Sequence, residues 1–209
     1  MIENEKNQND IMDQELINSF GIDYIFNSKP INRFKNKPTI ENINSRLNDL
    51  KERINNINNC DLKNNGKQIE FSDGNFKSPV MIIGEGPGQK EDELGKPFVG
   101  DAGQLLNKML NAIKIKRVNV YITNLVNYRP PNNRKPEPTE INRYSEFLRE
   151  HISIIDPKIL ILMGSAAMEA LFGSKIKISK ERGSWKEIII NNKTYLVLIT
   201  FHPAYLLRQ

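Results

Sequence analysis

The sequence predicts an α/β fold of three layers, α/β/α, built around a central and mostly parallel sheet within residues 39–209. Short apolar segments alternate with segments of helical periodicity, an order typical of strands joined by helices that cover both faces of a sheet. The segment KILILMG at 158–164 is almost wholly apolar, as expected for a strand buried on both faces. The chain has 209 residues, 38% of them hydrophobic, which is enough for one domain with a sizeable core.

Each predicted element has a local signal. Residues 39–57 carry aliphatic side chains three or four positions apart, which predicts a helix with one buried stripe. Another helix is predicted from near Thr139 to about Ile155. A further helix ends at Gly173, a residue type that favours helix termination. WKEIII and TYLVLIT, separated by NNK, predict a hairpin. The other predicted elements are a strand at 80–83, a helix at 102–113 and a strand at 118–123.

Residues 1–38 differ in composition from the rest of the chain. They are rich in Asn, Lys and acidic residues, and this polarity predicts an extension outside the folded domain that is flexible or loosely docked.

The bulk composition excludes some classes of protein. Cys60 is the single cysteine, so an internal disulfide framework is excluded. The formal net charge of +5 suits a polyanionic partner, although a basic solvated surface explains it equally well. No cationic-then-apolar leader and no apolar run of about 18 residues are present, so we expect a cytoplasmic protein without a membrane partner.

The loop GEGPGQKEDELGKPFVG at 84–100 follows a predicted strand and first suggests a cradle for a cofactor's phosphates. The dinucleotide fingerprint fails, because Gln89 replaces its third glycine and Pro87 lies inside the turn. The loop also carries several carboxylates, which would repel a pyrophosphate. The P-loop pattern fails too, because no G-K-[ST] is present. An enzyme that uses NAD or ATP is therefore a weak alternative.

Three unusual loops, 84–100, 124–137 and 201–208, each follow a predicted strand. In a parallel sheet such loops meet at the carboxyl edge, where ligands bind. Asn124 can recognise a planar edge that offers both a donor and an acceptor, and His202 can donate to a developing anion, although each residue can equally well serve only a turn. Basic residues that can contact phosphates are Arg129, Arg134, Lys135 and Arg208.

The segments GEGPGQKEDELGKPFVGDAGQLLNKML, VYITNLVNYRPPNNRKPEPTEI and TFHPAYLLR strongly resemble the family 4 (type 4) uracil-DNA glycosylases of bacteria and archaea. The resemblance covers roughly residues 57–209. It implies a DNA repair enzyme that flips uracil out of DNA and hydrolyses its N-glycosidic bond, the first step of base excision repair. The implied partner is uracil-containing DNA, and we expect a monomer.

The resemblance also implies roles in binding uracil. Phe98 would stack on the flipped base, and the Asn124 amide would pair with its N3/O4 edge. The backbone of Glu85 and Gly86 would line the pocket near O2, and His202 would donate a hydrogen bond to O2 as the base leaves.

Two carboxylates complete the implied catalytic set. Glu85, or a water that it orients, would support the cationic sugar, and Glu91 would shape the pocket against the methyl group of thymine. The corresponding family 1 motif, G-Q-D-P-Y, has an aspartate where Gly86 stands. The group that orients the water therefore stays open.

The segment HPAYLLR resembles the loop that enters the minor groove. Leu206 would fill the gap that the flipped base leaves, and Arg208 would hold the DNA backbone. Tyr205 and Arg129 are further predicted DNA contacts.

Family 4 members usually hold a [4Fe–4S] cluster on four cysteines. The matching positions here are Ile57, Cys60, Tyr128 and Tyr144, so three of the four thiols are missing. Because such clusters are held by four cysteines, we predict no cluster, no other cofactor and no metal ligand. The two tyrosines are expected to pack against Ile57 in that volume. The missing cysteines leave one alternative function, a catalytically weak uracil- or DNA-binding module.

Overall fold

The structure is a computed structural model that describes residues 40–209, so the predicted extension at 1–38 lies outside the described residues. Within 40–209, six strands form one sheet in the order β1-β3-β2-β4-β6-β5. The strands are β1 (Asp73–Gly74), β2 (Val80–Gly84), β3 (Tyr121–Asn124), β4 (Ile159–Met163), β5 (Trp185–Ile190) and β6 (Lys193–Thr200).

The four central strands, β3-β2-β4-β6, run parallel, while β1 and β5 pair antiparallel at the two edges. The predicted mostly parallel sheet is therefore confirmed. Its carboxyl edge brings together the ends of β2, β3 and β6, and with them the three unusual loops.

Helices cover both faces of the sheet. The described helices are α1 (Ile40–Asn55), α2 (Asp61–Asn65), α3 (Gln89–Leu94), α4 (Asp101–Ala112), α5 (Pro138–Ile155), α6 (Ser165–Phe172), α7 (Ile178–Glu181) and α8 (Pro203–Leu206). Short 3-10 turns lie at Arg117–Asn119 and Pro131–Asn133.

Alternation along the strands divides the core in two. Met81 and Ile83 of β2 join the larger cluster, to which α1, α5 and α6 contribute. Ile82, between them, joins a smaller cluster with Leu106 and Leu110 of α4. Successive strand residues point to opposite faces, so the sheet is apolar on both sides and the α/β/α prediction is confirmed.

Most predicted elements are confirmed. The differences include the start of β3 and the two segments predicted as loops, 84–100 and 201–208, which contain the short helices α3 and α8. The predicted strand at 118–123 begins only at Tyr121, because the preceding residues form a 3-10 turn that leaves Val118 68% exposed. The segment 84–100 is not a continuous loop, since α3 occupies its centre. Helix α3 has six residues and lacks an apolar stripe, so its sequence carries no helical periodicity.

Candidate active site

A cavity of about 320 Å³ opens at the carboxyl edge of the sheet. It brings together all six residues predicted to act on uracil: Glu85, Gly86, Glu91, Phe98, Asn124 and His202. Arg208 also lines the cavity. The three loops therefore form one site, as their positions after parallel strands predict.

Phe98 is held in a strained position. Its φ is +52°, in the left-handed region that side-chain-bearing residues rarely adopt, and its ring is only 4% exposed. Arg117 donates to the carbonyl oxygens of Pro97 (2.6 Å) and Phe98 (3.0 Å). A Cβ on Gly103 would lie 1.8 Å from the Phe98 carbonyl oxygen, so only glycine fits below it. The Phe98 ring stacks on His202, with centroids 5.4 Å apart.

Arg117 is in turn fixed by Asp73 of β1. The two side chains form an ion pair in which Nη2 lies 2.8 Å from the carboxylate. Arg117 also donates to Asn107 of α4 at 3.2 Å. One guanidinium thus joins a sheet edge, a helix and the backbone that presents Phe98.

Asn124 is the last residue of β3 and is 3% exposed. Its Nδ2 donates to Oε2 of Glu70 at 2.5 Å, while its Oδ1 has no hydrogen-bond partner among the residues that the structure describes. A Cβ on Gly84 would lie 2.2 Å from that Oδ1, so glycine is required beside the amide.

His202 caps the N-terminus of α8 with its side chain. Its Nδ1 accepts a hydrogen bond from the Ala204 amide at 3.1 Å. Burial, together with the charge of Arg208, lowers the pKa of His202 to about 4. The ring is therefore neutral near pH 7, and because Nδ1 is the acceptor, its proton lies on Nε2.

The two carboxylates of the site have different surroundings. Burial raises the pKa of Glu85, although the positive charges of Lys135 and Arg208 oppose the shift. Glu91 accepts hydrogen bonds through Oε1 from the amides of Val99 (2.9 Å) and Gly100 (2.7 Å). Glu91 therefore fixes the backbone that follows Phe98, while it also lines the cavity.

The backbone just before Gly86 continues the sheet pairing past the end of β2. The amides of Leu125 and Val126 donate to the carbonyl oxygens of Gly84 and Glu85, at 3.0 and 3.1 Å. A Cβ on Gly86 would lie 2.5 Å from the Val126 side chain. A side chain at Gly86 therefore has no room unless Val126 moves.

Of the predicted DNA contacts, Arg208 lines the cavity, whereas Tyr205, Leu206 and Arg129 lie outside its lining. Tyr205 and Leu206 are 41% and 42% exposed on α8. Arg129 is half-buried and donates to Asn133 at 2.8 Å. Arg134 is committed to a bidentate pair with Glu140, both bonds at 2.7 Å, so its charge is locally compensated.

Sequence reasoning missed two residues of the site. Glu70 lies in the turn-rich segment before β1, where no pattern distinguishes it from a solvated carboxylate. Arg117 directly precedes the segment predicted as a strand at 118–123. Both act through contacts that are distant in sequence, with 54 positions separating Glu70 from Asn124.

Residues 71–209 match the model of the uracil DNA glycosylase superfamily. The chain belongs to this superfamily. It is 40% identical over 161 residues to the type-4 uracil-DNA glycosylase of Thermotoga maritima, covering 77% of this chain and 82% of that protein. It is 38% identical over 167 residues to the type-4 enzyme of Pyrobaculum aerophilum, covering 78% and 85%. For the type-4 enzyme of Saccharolobus solfataricus the identity is 43% over 150 residues, covering 69% of each chain.

The four positions that match the iron–sulfur ligands of family 4 belong to the hydrophobic core of this chain or pack against it. Cys60, Tyr128 and Tyr144 are buried in the larger core cluster, and Ile57 packs against it. The Cys60 Sγ lies 3.6 Å from the Tyr144 hydroxyl, and the Tyr128 hydroxyl donates to Asn55 at 2.8 Å. One thiol beside two phenols does not fit a four-thiolate cluster.

Residues 40–209, the part of the chain that the structure describes, lack two kinds of feature. They contain no group of three or more His, Cys, Asp or Glu side chains placed to hold a metal ion. Over the same residues, no helix has the length and apolar character needed to cross a membrane.

Proposed function

We propose that this protein is a uracil-DNA glycosylase that binds uracil flipped out of DNA and hydrolyses its N-glycosidic bond, and so initiates base excision repair. The observation that best supports this function is the juxtaposition of three groups in one cavity. These are the Phe98 ring, the amide of Asn124, whose oxygen is unpaired, and the Nε2–H of a neutral His202.

The proposed recognition uses each group once. The base stacks on Phe98, while Asn124 accepts from N3–H through its unpaired Oδ1 and donates to O4 through its second Nδ2 proton. Gly84 and Gly86 let the backbone approach the ring, since neither position has room for a Cβ. Glu91 holds the backbone beside Phe98 and closes the cavity on that side.

The proposed chemistry separates charge. As the glycosidic bond breaks, its electron pair goes to the uracil, and the sugar becomes cationic. His202 Nε2–H donates to O2 of the base, a bond that strengthens as O2 gains charge and therefore acts on the transition state. Water adds to the sugar cation and loses a proton, and uptake of one proton by the released uracil anion, directly or through solvent, completes the hydrolysis. Glu85 is the carboxylate of the cavity that stabilises the cation or orients this water.

The exposed face of α8 is the proposed DNA contact. Leu206 fills the space of the flipped base, Tyr205 packs against the strand, and Arg208 and Arg129 contact phosphates. The protein is further proposed to act as a cytoplasmic monomer, which sedimentation at several concentrations tests for its oligomeric state.

We propose that the enzyme works without an iron–sulfur cluster, since Tyr128 and Tyr144 occupy the core around Cys60. Iron analysis and the visible absorbance of anaerobically purified protein test this. Stoichiometric iron would contradict it.

The decisive experiment measures uracil release from a single-stranded oligonucleotide with one deoxyuridine. Wild type should release uracil, and Asn124→Ala and His202→Ala should each lower the rate by about 10²- to 10³-fold. Glu85→Ala should also lower it. The matched control is Asn142→Ala, which removes an exposed amide on α5 and should leave the rate unchanged.

Two outcomes would change the proposal. If the three cavity variants release uracil as fast as wild type, the assignment of the site is wrong. If wild type binds the deoxyuridine oligonucleotide without releasing uracil, the chain is a binding module and not a glycosylase.

A further inference from the structure

Glu70 is a buried carboxylate without a role in the proposed recognition of uracil or in the proposed hydrolysis. Its residue exposure is 0%, and its backbone is fixed on both sides by Asn127. The Glu70 amide donates to the Asn127 carbonyl oxygen, and the Asn127 side chain donates to the Glu70 carbonyl oxygen, both at 2.8 Å. The position of this carboxylate relative to β3 is therefore set by the backbone.

The side chain of Glu70 contacts the amide of Asn124. Oε2 accepts from Asn124 Nδ2. Within the described part of the chain, residues 40–209, the other two oxygens of this pair, Glu70 Oε1 and Asn124 Oδ1, have no hydrogen-bond partner. Buried polar atoms without partners are uncommon in folded proteins, so an unpaired amide oxygen beside a cavity indicates a place for a ligand donor.

The unpaired oxygen of Asn124 lies on the side of the base-stacking ring. A single point, the position of a Cβ on Gly84, lies 2.2 Å from Asn124 Oδ1 and 2.6 Å from Phe98 Cζ. The amide oxygen of Asn124 and the ring of Phe98 therefore lie close to the same point beside Gly84. A base that stacks on Phe98 brings its hydrogen-bonding edge toward this oxygen.

We infer that Glu70 is a positioning residue that holds the Asn124 amide with its oxygen toward the base, and that it thereby selects uracil over cytosine. This inference rests on the proposed function, because it concerns the same pocket. Glu70 contacts Asn124 and not the substrate.

The two bases present opposite patterns to the amide. Uracil offers an N3–H donor and an O4 acceptor, which match Asn124 Oδ1 and the second Nδ2 proton. Cytosine offers an N3 acceptor and an N4 donor, which place acceptor against acceptor and donor against donor. Cytosine would fit only if the amide turned over, and that would bring Oδ1 against Oε2 of Glu70.

The strength of this restraint depends on the proton of Glu70. Burial raises the pKa of Glu70 to about 8; Glu91 and Asp73 add to the shift, while Asn124 and Arg117 oppose it. An ionised carboxylate only accepts, so it excludes the turned-over amide. A neutral carboxyl can donate to that amide, so selection against cytosine is strongest above the pKa.

The experiment measures binding of two oligonucleotides that resist cleavage, one with 2′-fluoro-2′-deoxyuridine and one with 2′-fluoro-2′-deoxycytidine. The readout is the ratio of the two dissociation constants below and above the pKa of about 8. For wild type, the preference for the uracil oligonucleotide should rise with pH. For Glu70→Gln, whose amide can accept or donate, it should be independent of pH and, above the pKa, lower by about tenfold.

Glu70→Leu tests the same inference with a side chain that forms no hydrogen bond. Its preference for the uracil oligonucleotide should be low both below and above the pKa of Glu70. The matched control is Asp92→Asn, a second buried carboxylate, which accepts from the Lys67 amide at 2.8 Å and does not line the cavity. This control should retain the pH-dependent preference of wild type. A purely structural role for Glu70 would lower the melting temperature and leave the pH dependence in place.

Failure of the inference differs from failure of the proposed function. If wild type releases uracil and Glu70→Gln keeps the wild-type ratio above the pKa, the role of Glu70 is overturned and the glycosylase stands. If wild type releases no uracil but Glu70→Gln loses the preference, the hydrolysis is overturned and the role of Glu70 stands. Equal binding of both oligonucleotides by wild type would overturn the role of Glu70.

Discussion

The cavity at the carboxyl edge of the sheet and the core around Cys60 differ in how complete they are. At the cavity, Asn124 Oδ1 and Oε1 of the neighbouring Glu70 are buried without hydrogen-bond partners among residues 40–209, and Phe98 has a left-handed backbone. Around Cys60, each tyrosine hydroxyl has a partner, with Tyr144 next to the thiol and Tyr128 donating to Asn55. The cavity therefore offers unpaired polar groups to a ligand, whereas the hydroxyls of the Cys60 region are already paired within the protein. Strain and unpaired groups of this kind concentrate at functional sites.

The largest expected effect comes from adding one methyl group to the cavity. Gly84→Ala would place Cβ 2.2 Å from Asn124 Oδ1 and 2.6 Å from the Phe98 ring, so the amide and the ring cannot both keep their positions. We expect uracil release to fall by about 100-fold or more, since small displacements of reacting groups have effects of this size.

Gly66→Ala is the matched change beside the tyrosines. Its Cβ would lie 3.1 Å from the Tyr128 ring, a contact that a shift of a few tenths of an ångström relieves. Release by this variant should stay near the wild-type rate. Equal loss in both variants would mean that the two regions do not differ in this way.

The second prediction concerns the pH dependence of stability. The pKa of Glu70 is about 8 in the folded chain and 4.5 ordinarily, so between these values the folded state holds a proton that the unfolded state has lost. The free energy of unfolding should fall as pH rises through this window, relative to Glu70→Gln, by up to about 1.4 kcal/mol per pH unit.

Denaturant unfolding of wild type and Glu70→Gln at several pH values measures this difference. It should be constant below pH 4.5 and again above about pH 8, because both states then have the same protonation. Parallel curves across the whole range would show that Glu70 is not buried as a neutral acid.

The third prediction tests the support of Phe98. Arg117→Lys replaces a planar group that reaches two carbonyl oxygens, an aspartate and an asparagine with a single ammonium, so the backbone at Pro97 and Phe98 loses part of its support. We expect uracil release to fall by about tenfold, with the loss mainly in KM, since base stacking depends on Phe98. Arg53→Lys, on an exposed ion pair, is the control and should have no effect.

The smallest effect is expected in the Cys60 region. Tyr144→Phe removes a hydroxyl whose partner is a thiol at 3.6 Å, a weak hydrogen bond, and keeps the buried ring. The free energy of unfolding should change by about 1 kcal/mol or less, and uracil release should not change. Thermal melting and the release assay measure both quantities, and a large loss of activity would mean that the two regions are coupled.

Much of the fold was predictable because its signals are local. The apolar run before Gly84 and the periodicity of α1 depend only on neighbouring residues, so a strand and a helix could be assigned from them. The start of β3 was misplaced because Val118, an apolar residue, belongs to an exposed 3-10 turn. Helix α3 was missed because its six residues carry no periodic stripe.

The loops that line the candidate site were predictable, but the buried residues that support them and the hydrogen bonds between them were not. Strand–loop order alone predicted that the loops containing Phe98, Asn124 and His202 would meet, because parallel strands place their carboxyl ends at one edge. The tautomer of His202 depends on a hydrogen bond from Ala204 that exists only once α8 has formed.

By itself, the sequence determined the alternation of strands and helices, the three loops that converge and the loss of three of the four cysteines expected from the resemblance. Only the tertiary structure decided which carboxylate holds Asn124 and which arginine holds Phe98. The reason is physical: hydrogen-bond partners separated by 54 positions, as Glu70 and Asn124 are, are chosen by the packing of the sheet and not by any local pattern.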